Sequence, residues 1–365
     1  MEAFTKTRTS HSKIAVFRCG QLGDTLVCLP ALWALREAYP KAEITFISDY
    51  PIDNHITPAE VLPRTLIDNY LFYPAQRAWN KPIPLLSFCY RIRRMNFDIL
   101  AYLSPSQRDQ SQSKAVLRDL RFFQVMGIKK VLGKDGGDIL PGNFTGESKS
   151  EVTDEASNLL ARLSVNKIPH PNPRSDWLDL DSVERSFAQS YLKNKGIGTD
   201  ERRNCVAFGI GAKLERKRWP LERFLEVGTN LIEEMDVIPV VVGGKEDAES
   251  ARWLCKNWKR GISIAGELNV RSTAAALRNM LGFCGNDTGS MHLAAFSDLR
   301  CVGLFSSHDW PGKWNPFGDG HVCIRAERFP DCGSCLDATC RCIENISPEK
   351  VTESCEKVIR SARLV

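Results

Sequence analysis

No apolar run in this 365-residue chain approaches the roughly 20 residues needed to cross a bilayer, so the sequence offers no membrane-spanning helix. The first residues, Met1 to Lys13, are polar and hold no apolar signal core, and export is not expected. Strong charge is also lacking. A net charge of +5 is a mild excess of base, far below the density of a nucleic-acid binder, so no nucleic-acid partner is expected. No internal repeat is visible, which sets solenoids and propellers aside. A complete dinucleotide fingerprint is missing as well, which counts against a nicotinamide-dependent oxidoreductase. Cysteine is not scarce: there are 13, an odd number. Most stand alone in apolar stretches (Cys28, Cys89, Cys205, Cys284, Cys301) and read as small buried hydrophobes of a reduced, cytoplasmic protein.

What is present is an alternation of strand and helix signals. A hydrophobic content of 43% and a charged content of 25% describe an ordinary globular protein, and the length suits two domains. Ile14–Phe17 is a short apolar run of the kind found inside parallel sheets. A helix over Thr25–Tyr39, stopped by Pro40, and a strand at Ile44–Ile47 complete a βαβ unit. Phe97–Tyr102 reads as a further strand, and residues 133–150 and 165–177 as loops. A helix over Ser182–Asn194 is followed by a polar, Gly-containing stretch, 195–203, which reads as a linker between domains 1–194 and 204–365. Strands at Cys205–Gly209, Val237–Val242, Ile262–Ile264, Gly282–Cys284 and Arg300–Phe305 then alternate with helices, the pattern of a second doubly wound sheet. Two such halves would bind ligands at the C-terminal edges of their strands, here facing an interdomain cleft.

Four stretches sit where strands end and helices begin. Gly285-Asn286-Asp287-Thr288-Gly289-Ser290-Met291-His292 would aim backbone N–H groups and a helix dipole at one spot, a good place to hold a diphosphate. Gly209–Pro220 packs four cations (Lys213, Arg216, Lys217, Arg218) into a loop ahead of a Pro-initiated helix. This is either a solvated basic loop or a set of ammonium groups that neutralise a leaving diphosphate, with Trp219 as a packing anchor. In Gly243-Gly244-Lys245-Glu246-Asp247 the acids suit a helix N-terminus, and a carboxylate there could also accept ribose hydroxyls. Arg18-Cys19-Gly20-Gln21-Leu22-Gly23-Asp24 allows a tight turn. Asp24 is then either a helix cap or a general base toward an acceptor hydroxyl.

A fifth cluster, Cys332, Cys335, Cys340 and Cys342, has the donor chemistry for a structural zinc or iron, although its final C-x-C departs from common zinc ribbons. The alternative is free or redox-active thiols. Between residues 91 and 130, cations including Arg91, Arg93, Arg94, Arg108 and Arg121 read as helix surface, or as a face for an anionic acceptor or an acidic membrane.

These stretches together resemble glycosyltransferase family nine, the lipopolysaccharide heptosyltransferase-like family. The resemblance is carried in order by Arg18-x-Gly20-x-Leu22-Gly23-Asp24 with Leu29-Pro30-Ala31-Leu32, and by Gly211-Ala212 with Lys217-Arg218-Trp219-Pro220. It continues through Gly285–Ala295, then Phe305, Trp314 and Phe317, and finally Ile346-x-Pro348-Glu349-x-Val351. It implies a GT-B architecture of two facing Rossmann-like domains, the first binding acceptor and the second nucleotide sugar. It also implies inverting transfer, from ADP-heptose as donor, to a saccharide or lipopolysaccharide-type acceptor, without an obligatory catalytic metal. Under it Asp24 is the base, Lys217 holds the diphosphate, and Asp287, Thr288, Gly289 and His292 line the donor site. Glu246 contacts the nucleoside, Lys213 stands where relatives often have a small hydroxyl residue, and Arg18, Gly20 and Gly23 form the acceptor-side loop. The first turn, Arg18-Cys19-Gly20-Gln21, departs from the Ser-Ser form of the core-oligosaccharide enzymes, which leaves the sugar and acceptor open. An anionic saccharide or glycolipid acceptor, and peripheral contact with the cytoplasmic face of the inner membrane, follow as expectations. Three other readings stay open: the same fold with another nucleotide sugar, a non-catalytic sugar-nucleotide binder, and an oxidoreductase.

Overall fold

Ile14, Ala15 and Val16, successive residues whose side chains alternate between the two faces of a central strand, are all 0% exposed, so both faces are covered. The structure, a computed structural model, describes residues 12–49, 56–73, 82–105, 110–135, 151–198, 204–307, 310–328 and 340–364. In it β1 (Lys13–Phe17) pairs in parallel with β2 (Glu43–Asp49) and β4 (Ile99–Tyr102), and β3 (Asn69–Tyr73) and β5 (Lys130–Leu132) complete a sheet ordered β3-β2-β1-β4-β5. A strand buried on both faces has no polar side to show, which is why β1 reads as continuous apolar sequence. The connections are α1 (Leu22–Leu26), α2 (Leu29–Ala38), α3 (Pro58–Val61), α4 (Pro82–Met95) and α5 (Gln110–Val125). Phe88 and Ile92 of α4 and Phe123 of α5 bury against Phe17 and Tyr102 of the sheet. α6 (Glu155–Val165) packs beside α2.

The helix expected over Thr25–Tyr39 is two helices. α1 already begins at Leu22, and Val27 and Cys28 separate it from α2. Pro30 lacks an N–H and suits only the first turn of a helix, so it marks a start rather than an interior.

The second unit repeats the plan. β6 (Cys205–Gly209), β7 (Ile238–Val242), β8 (Ile262–Ser263), β9 (Gly282–Asn286), β10 (Cys301–Phe305) and β11 (Val322–Arg325) form a parallel sheet ordered β11-β10-β9-β6-β7-β8. α7 (Ser182–Asn194) and α8 (Leu221–Met235) belong to it, with α9 (Ala248–Trp258), α10 (Val270–Leu277), α11 (Gly289–Phe296) and α12 (Pro348–Arg363). In α8, Phe224, Val227, Leu231 and Met235 are buried along one stripe, and α12 returns to pack on α8, β9 and β10.

The boundary differs from the expected linker at 195–203, of which 199–203 lie outside the described residues. Unit 1 takes in Glu155–Arg174, and unit 2 begins again at Ser175, so α7 falls with the second sheet. The reason is a polar seam. Arg271 of α10 pairs with Glu184 of α7 and donates to Leu178 O at 3.1 Å, while Lys195 pairs with Glu267 at 2.6 Å. Residues 151–154 also belong to the second unit, where Val152 N–H donates to Pro311 O at 2.8 Å. A polar, Gly-containing stretch looks like a linker in sequence whether or not its flanks pack together.

Candidate active site

The second sheet grows from β6 through β7 to β8, and the chain then returns to the other side of β6 to lay down β9. Doubly wound folds bind ligands outside the C-terminal strand ends at such a reversal. Two loops leave the sheet there, one after β6 (210–220) and one after β9 (287–288), and the loop after β7 (243–247) adjoins them.

Asn286 ties them together. It is fully buried at the end of β9; its Nδ2 donates to Ile210 O at 2.8 Å, and its Oδ1 accepts from the Trp219 N–H at 3.1 Å. One side chain thus holds both ends of the cationic loop. Trp219 is the packing anchor expected of it: its Nε1 donates to Ile346 O at 3.1 Å and its ring stands edge-on to Phe224 at 4.9 Å. Lys217 closes a 3-10 turn, Glu215–Lys217, within this loop, and its Nζ lies 2.5 Å from Asp287 Oδ2. Because the pair is neutral overall, Asp287 acts as an anchor for Lys217. An ammonium has three donors, more than this one acceptor uses.

α11 begins at Gly289, directly after the loop. The first amides of a helix have no partner within it and carry the positive end of its dipole. Thr288 Oγ1 and Ser290 Oγ lie 2.8 Å apart beside them. His292, one turn in, is 2% exposed and stands edge-on to Trp314 at 6.4 Å.

Lys213 and Glu246, both expected at the donor site, are exposed on their loops. The buried carboxylate is that of their neighbour Asp247, which accepts the Gly244 N–H at 3.0 Å. A Cβ on Gly211 would meet this carboxylate at 2.3 Å, so that glycine is needed for the loops after β6 and β7 to close around it. Burial pushes the Asp247 carboxyl above the usual range, against the opposing pull of the Gly244 amide.

In the first unit the reversal falls between β1 and β4. Arg18, at the end of β1, is 1% exposed. It donates to Leu103 O beyond β4 at 2.8 Å, to Glu155 at 3.1 Å, and to Asp24 Oδ1 at 3.1 Å. The other oxygen, Asp24 Oδ2, accepts the Gln21 N–H at 3.0 Å, so Asp24 does cap α1. Its side chain remains 28% exposed, and a carboxylate has lone pairs to spare beyond these two bonds. Gly20 has φ +141°, and a Cβ there would meet the Asp24 side chain at 2.5 Å; no other residue leaves Asp24 where it is. Gly23 lies within α1.

Sequence reasoning missed Glu155 and Arg162. Arg162 donates to Tyr102 O at 2.8 Å, Ser104 O at 2.7 Å and Gly133 O at 2.7 Å, holding the chain beyond β4 and β5. The available signal is a polar row, Glu155, Asn158 and Arg162, at helical spacing among Ala156, Leu159, Leu160 and Leu163.

Of the clustered cysteines, Cys332 and Cys335 lie outside the described residues. Cys340 and Cys342 are buried in the core with Ile343 and Ile346. Among the described residues no group of three or more His, Cys, Asp and Glu side chains is arranged to hold a metal. Cys28, Cys205, Cys284 and Cys301 are buried as expected, while Cys89 is only partly so. Burial pushes the Cys28 thiol up to about 12, so it stays protonated and unreactive.

Two parallel doubly wound units, each with a polar cluster at its reversal point, define an α/β protein of the GT-B type. The chain belongs to glycosyltransferase family 9 (heptosyltransferase), whose model matches residues 152–344. Lipooligosaccharide heptosyltransferase 2 of Campylobacter jejuni is 24% identical over 157 residues, which are 40% of this chain and 48% of that protein. The chain therefore matches about half the length of this curated relative. Among solved structures, the family 9 glycosyl transferase of Veillonella parvula superposes with a TM-score of 0.71 at 18% identity, covering 96% of this chain and 98% of that one. The E. coli heptosyltransferase WaaC with ADP-2-deoxy-2-fluoro heptose gives 0.62 at 15% identity, covering 94% and 99%. At such identities the structural likeness speaks for the fold.

Proposed function

We propose that the protein is an inverting glycosyltransferase that moves a sugar, heptose from ADP-heptose in the leading reading, to a saccharide or glycolipid acceptor of the lipopolysaccharide type. The observation that carries this is the meeting of Lys217, Asp287 and the start of α11 at the reversal point of the second sheet. That meeting supplies what a nucleoside diphosphate leaving group needs: ammonium N–H donors, the first backbone amides of a helix and the positive end of its dipole.

The reaction is a single displacement. The acceptor oxygen forms a bond to the anomeric carbon and gives its proton to the Asp24 carboxylate. The bond from the anomeric carbon to the diphosphate oxygen breaks, and the nucleoside diphosphate departs as an anion held by Lys217 and the Thr288–Gly289 backbone. Asp287 keeps Lys217 in place, and Asp247 keeps the loops after β6 and β7 together. No step in this sequence requires covalent catalysis; charge and positioning carry it.

The test is a panel of nucleotide sugars read first by thermal stabilisation and then by release of nucleoside diphosphate. ADP-heptose is expected to stabilise and to turn over with acceptor. Stabilisation by a different nucleotide sugar moves the assignment to that donor, and stabilisation without turnover on any acceptor makes the protein a binder. Lys217→Ala is expected to weaken calorimetric binding of ADP by roughly 10- to 100-fold, the range for a hydrogen bond to a charged group. Unchanged affinity removes Lys217 from the site. The thiol cluster is settled by metal analysis of protein purified without chelators. One zinc or iron per chain establishes a structural centre, and sub-stoichiometric metal leaves Cys340 and Cys342 as packing groups.

A further inference from the structure

α4 and α5 lie side by side in the first unit, with Phe88 stacked on Phe122 at 6.0 Å and Arg93 donating to Val125 O at 3.4 Å. Their inner faces are accounted for, since Phe88, Ile92 and Phe123 are part of the core. Their outer faces are unusual. On α4, Ile83 is 78% exposed, Leu86 66% and Tyr90 63%. The spacing i, i+3, i+7 places these three on one side of the helix, and Arg93 and Arg94 continue the same side one turn further on. On α5, Leu117 (54% exposed) and Val125 (66%) share the outer face with the exposed Lys114, Arg118 and Arg121.

Charge on this pair of helices is one-sided. α4 and α5 contain six cations and a single acid, Asp119, a balance equal to the +5 of the entire chain. Asp119 is also spoken for, being paired with Arg118 at 2.9 Å and accepting from the Tyr102 hydroxyl at 3.1 Å. Large apolar side chains set among arginines on an outward helix face are what an interfacial helix presents to a bilayer: apolar groups enter the headgroup region while cations meet lipid phosphates. A surface built only to hold a polyanion in water gains nothing from leaving Ile83, Leu86 and Tyr90 exposed, and soluble proteins seldom expose such groups together. Among the described residues no helix is long and apolar enough to cross a membrane, so any attachment through these helices is peripheral.

We propose that the α4–α5 face is a docking surface for an anionic phospholipid bilayer, with Ile83, Leu86 and Tyr90 entering the interface and Arg93, Arg94 and Arg121 pairing with lipid phosphates. The proposal goes beyond the transfer reaction and does not depend on the donor. It supplies a reason for the first unit to meet a lipid-linked acceptor at a membrane surface.

The experiment is co-sedimentation of the full chain with vesicles, in the absence of any nucleotide sugar. Binding is expected to vesicles of phosphatidylglycerol in phosphatidylcholine, not to phosphatidylcholine alone, and to weaken as salt shortens the Debye length from about 10 Å to about 3 Å. Leu86→Glu with Tyr90→Glu, and separately Arg93→Glu with Arg94→Glu, are each expected to cut partitioning at least about tenfold. Val183→Glu with Phe187→Glu, on an exposed face of α7 in the other unit, is expected to leave it unchanged, which controls for surface charge in general. All six positions are exposed, and circular dichroism checks that the variants fold. No binding to anionic vesicles, or binding that survives Leu86→Glu with Tyr90→Glu, overturns the proposal; the latter would mean a surface that reads charge alone. So would a wild-type dimer in sedimentation velocity that Leu86→Glu with Tyr90→Glu dissociates, because the face would then be covered by a second copy.

Discussion

Asp24→Asn is expected to lower turnover by roughly 10²- to 10⁴-fold, the usual contribution of a general base, while ADP affinity stays within about twofold. Asn keeps one oxygen, enough to accept from either Arg18 or the Gln21 N–H but not from both, so a modest loss of stability is expected beside the loss of turnover. What disappears is the negative charge and the ability to take a proton. The same two contacts support the rival account, in which Asp24 only caps α1 and anchors Arg18. That account expects near-normal turnover from Asp24→Asn, since an amide can serve as a cap. Steady-state kinetics of the variant with a donor it demonstrably binds therefore separates the two. A fall in kcat at unchanged donor affinity supports the base, and a loss confined to thermal stability supports the cap.

Arg18→Met is expected to destabilise the first unit by about 3–5 kcal/mol, the cost of breaking a buried ion pair from one side. Arg18 and Glu155 are each 1% exposed, so truncating the guanidinium takes from a buried carboxylate the cation it pairs with. It also removes the donor to Leu103 O, across the reversal point from β1 to the segment after β4. Arg18→Lys should recover only part of this, because a single ammonium cannot serve Leu103 O, Glu155 and Asp24 with the planar fork that a guanidinium offers. Adding Glu155→Gln to Arg18→Met should return part of the loss by removing the buried charge, the signature of coupled neighbours. Urea denaturation followed by a probe in the first unit measures it. A loss below about 1 kcal/mol, the ordinary effect of a substitution away from such features, would show that the network is not closed in solution.

Much of the candidate site was legible because its positions follow from chain order. An apolar run that ends in small residues and is followed by a helical pattern marks a strand's C-terminal end, and doubly wound sheets put ligands there. This located Arg18–Asp24, the Lys217 loop, Gly243–Asp247 and Asp287–His292 without coordinates. Within these loops the choice of residue was harder. Glu246 and Asp247 are adjacent and chemically alike, and only the packing of Gly211 and Gly243 shows which carboxylate is enclosed. Lys213 and Lys217 are equally basic in sequence. Asn286 fixes the ends of the loop that carries both, and Lys217 is the one paired with Asp287.

By itself the amino-acid order determined that there are two α/β halves with parallel sheets, where their central strands lie, and which turns stand at the strand ends where a ligand could bind. Those features are local: each depends on apolar runs, glycines and helix starts that neighbours in the chain specify. Only the tertiary structure decided that Arg18 shares its charge between Asp24 and Glu155, the latter 137 residues away, and that Ser182–Asn194 packs with the second sheet. It also decided which side of α4 is core and which is not. Pairing over such separations leaves no period or spacing in the sequence, because the energy of a buried ion pair or a packed helix seam depends on distance in space and not on distance along the chain.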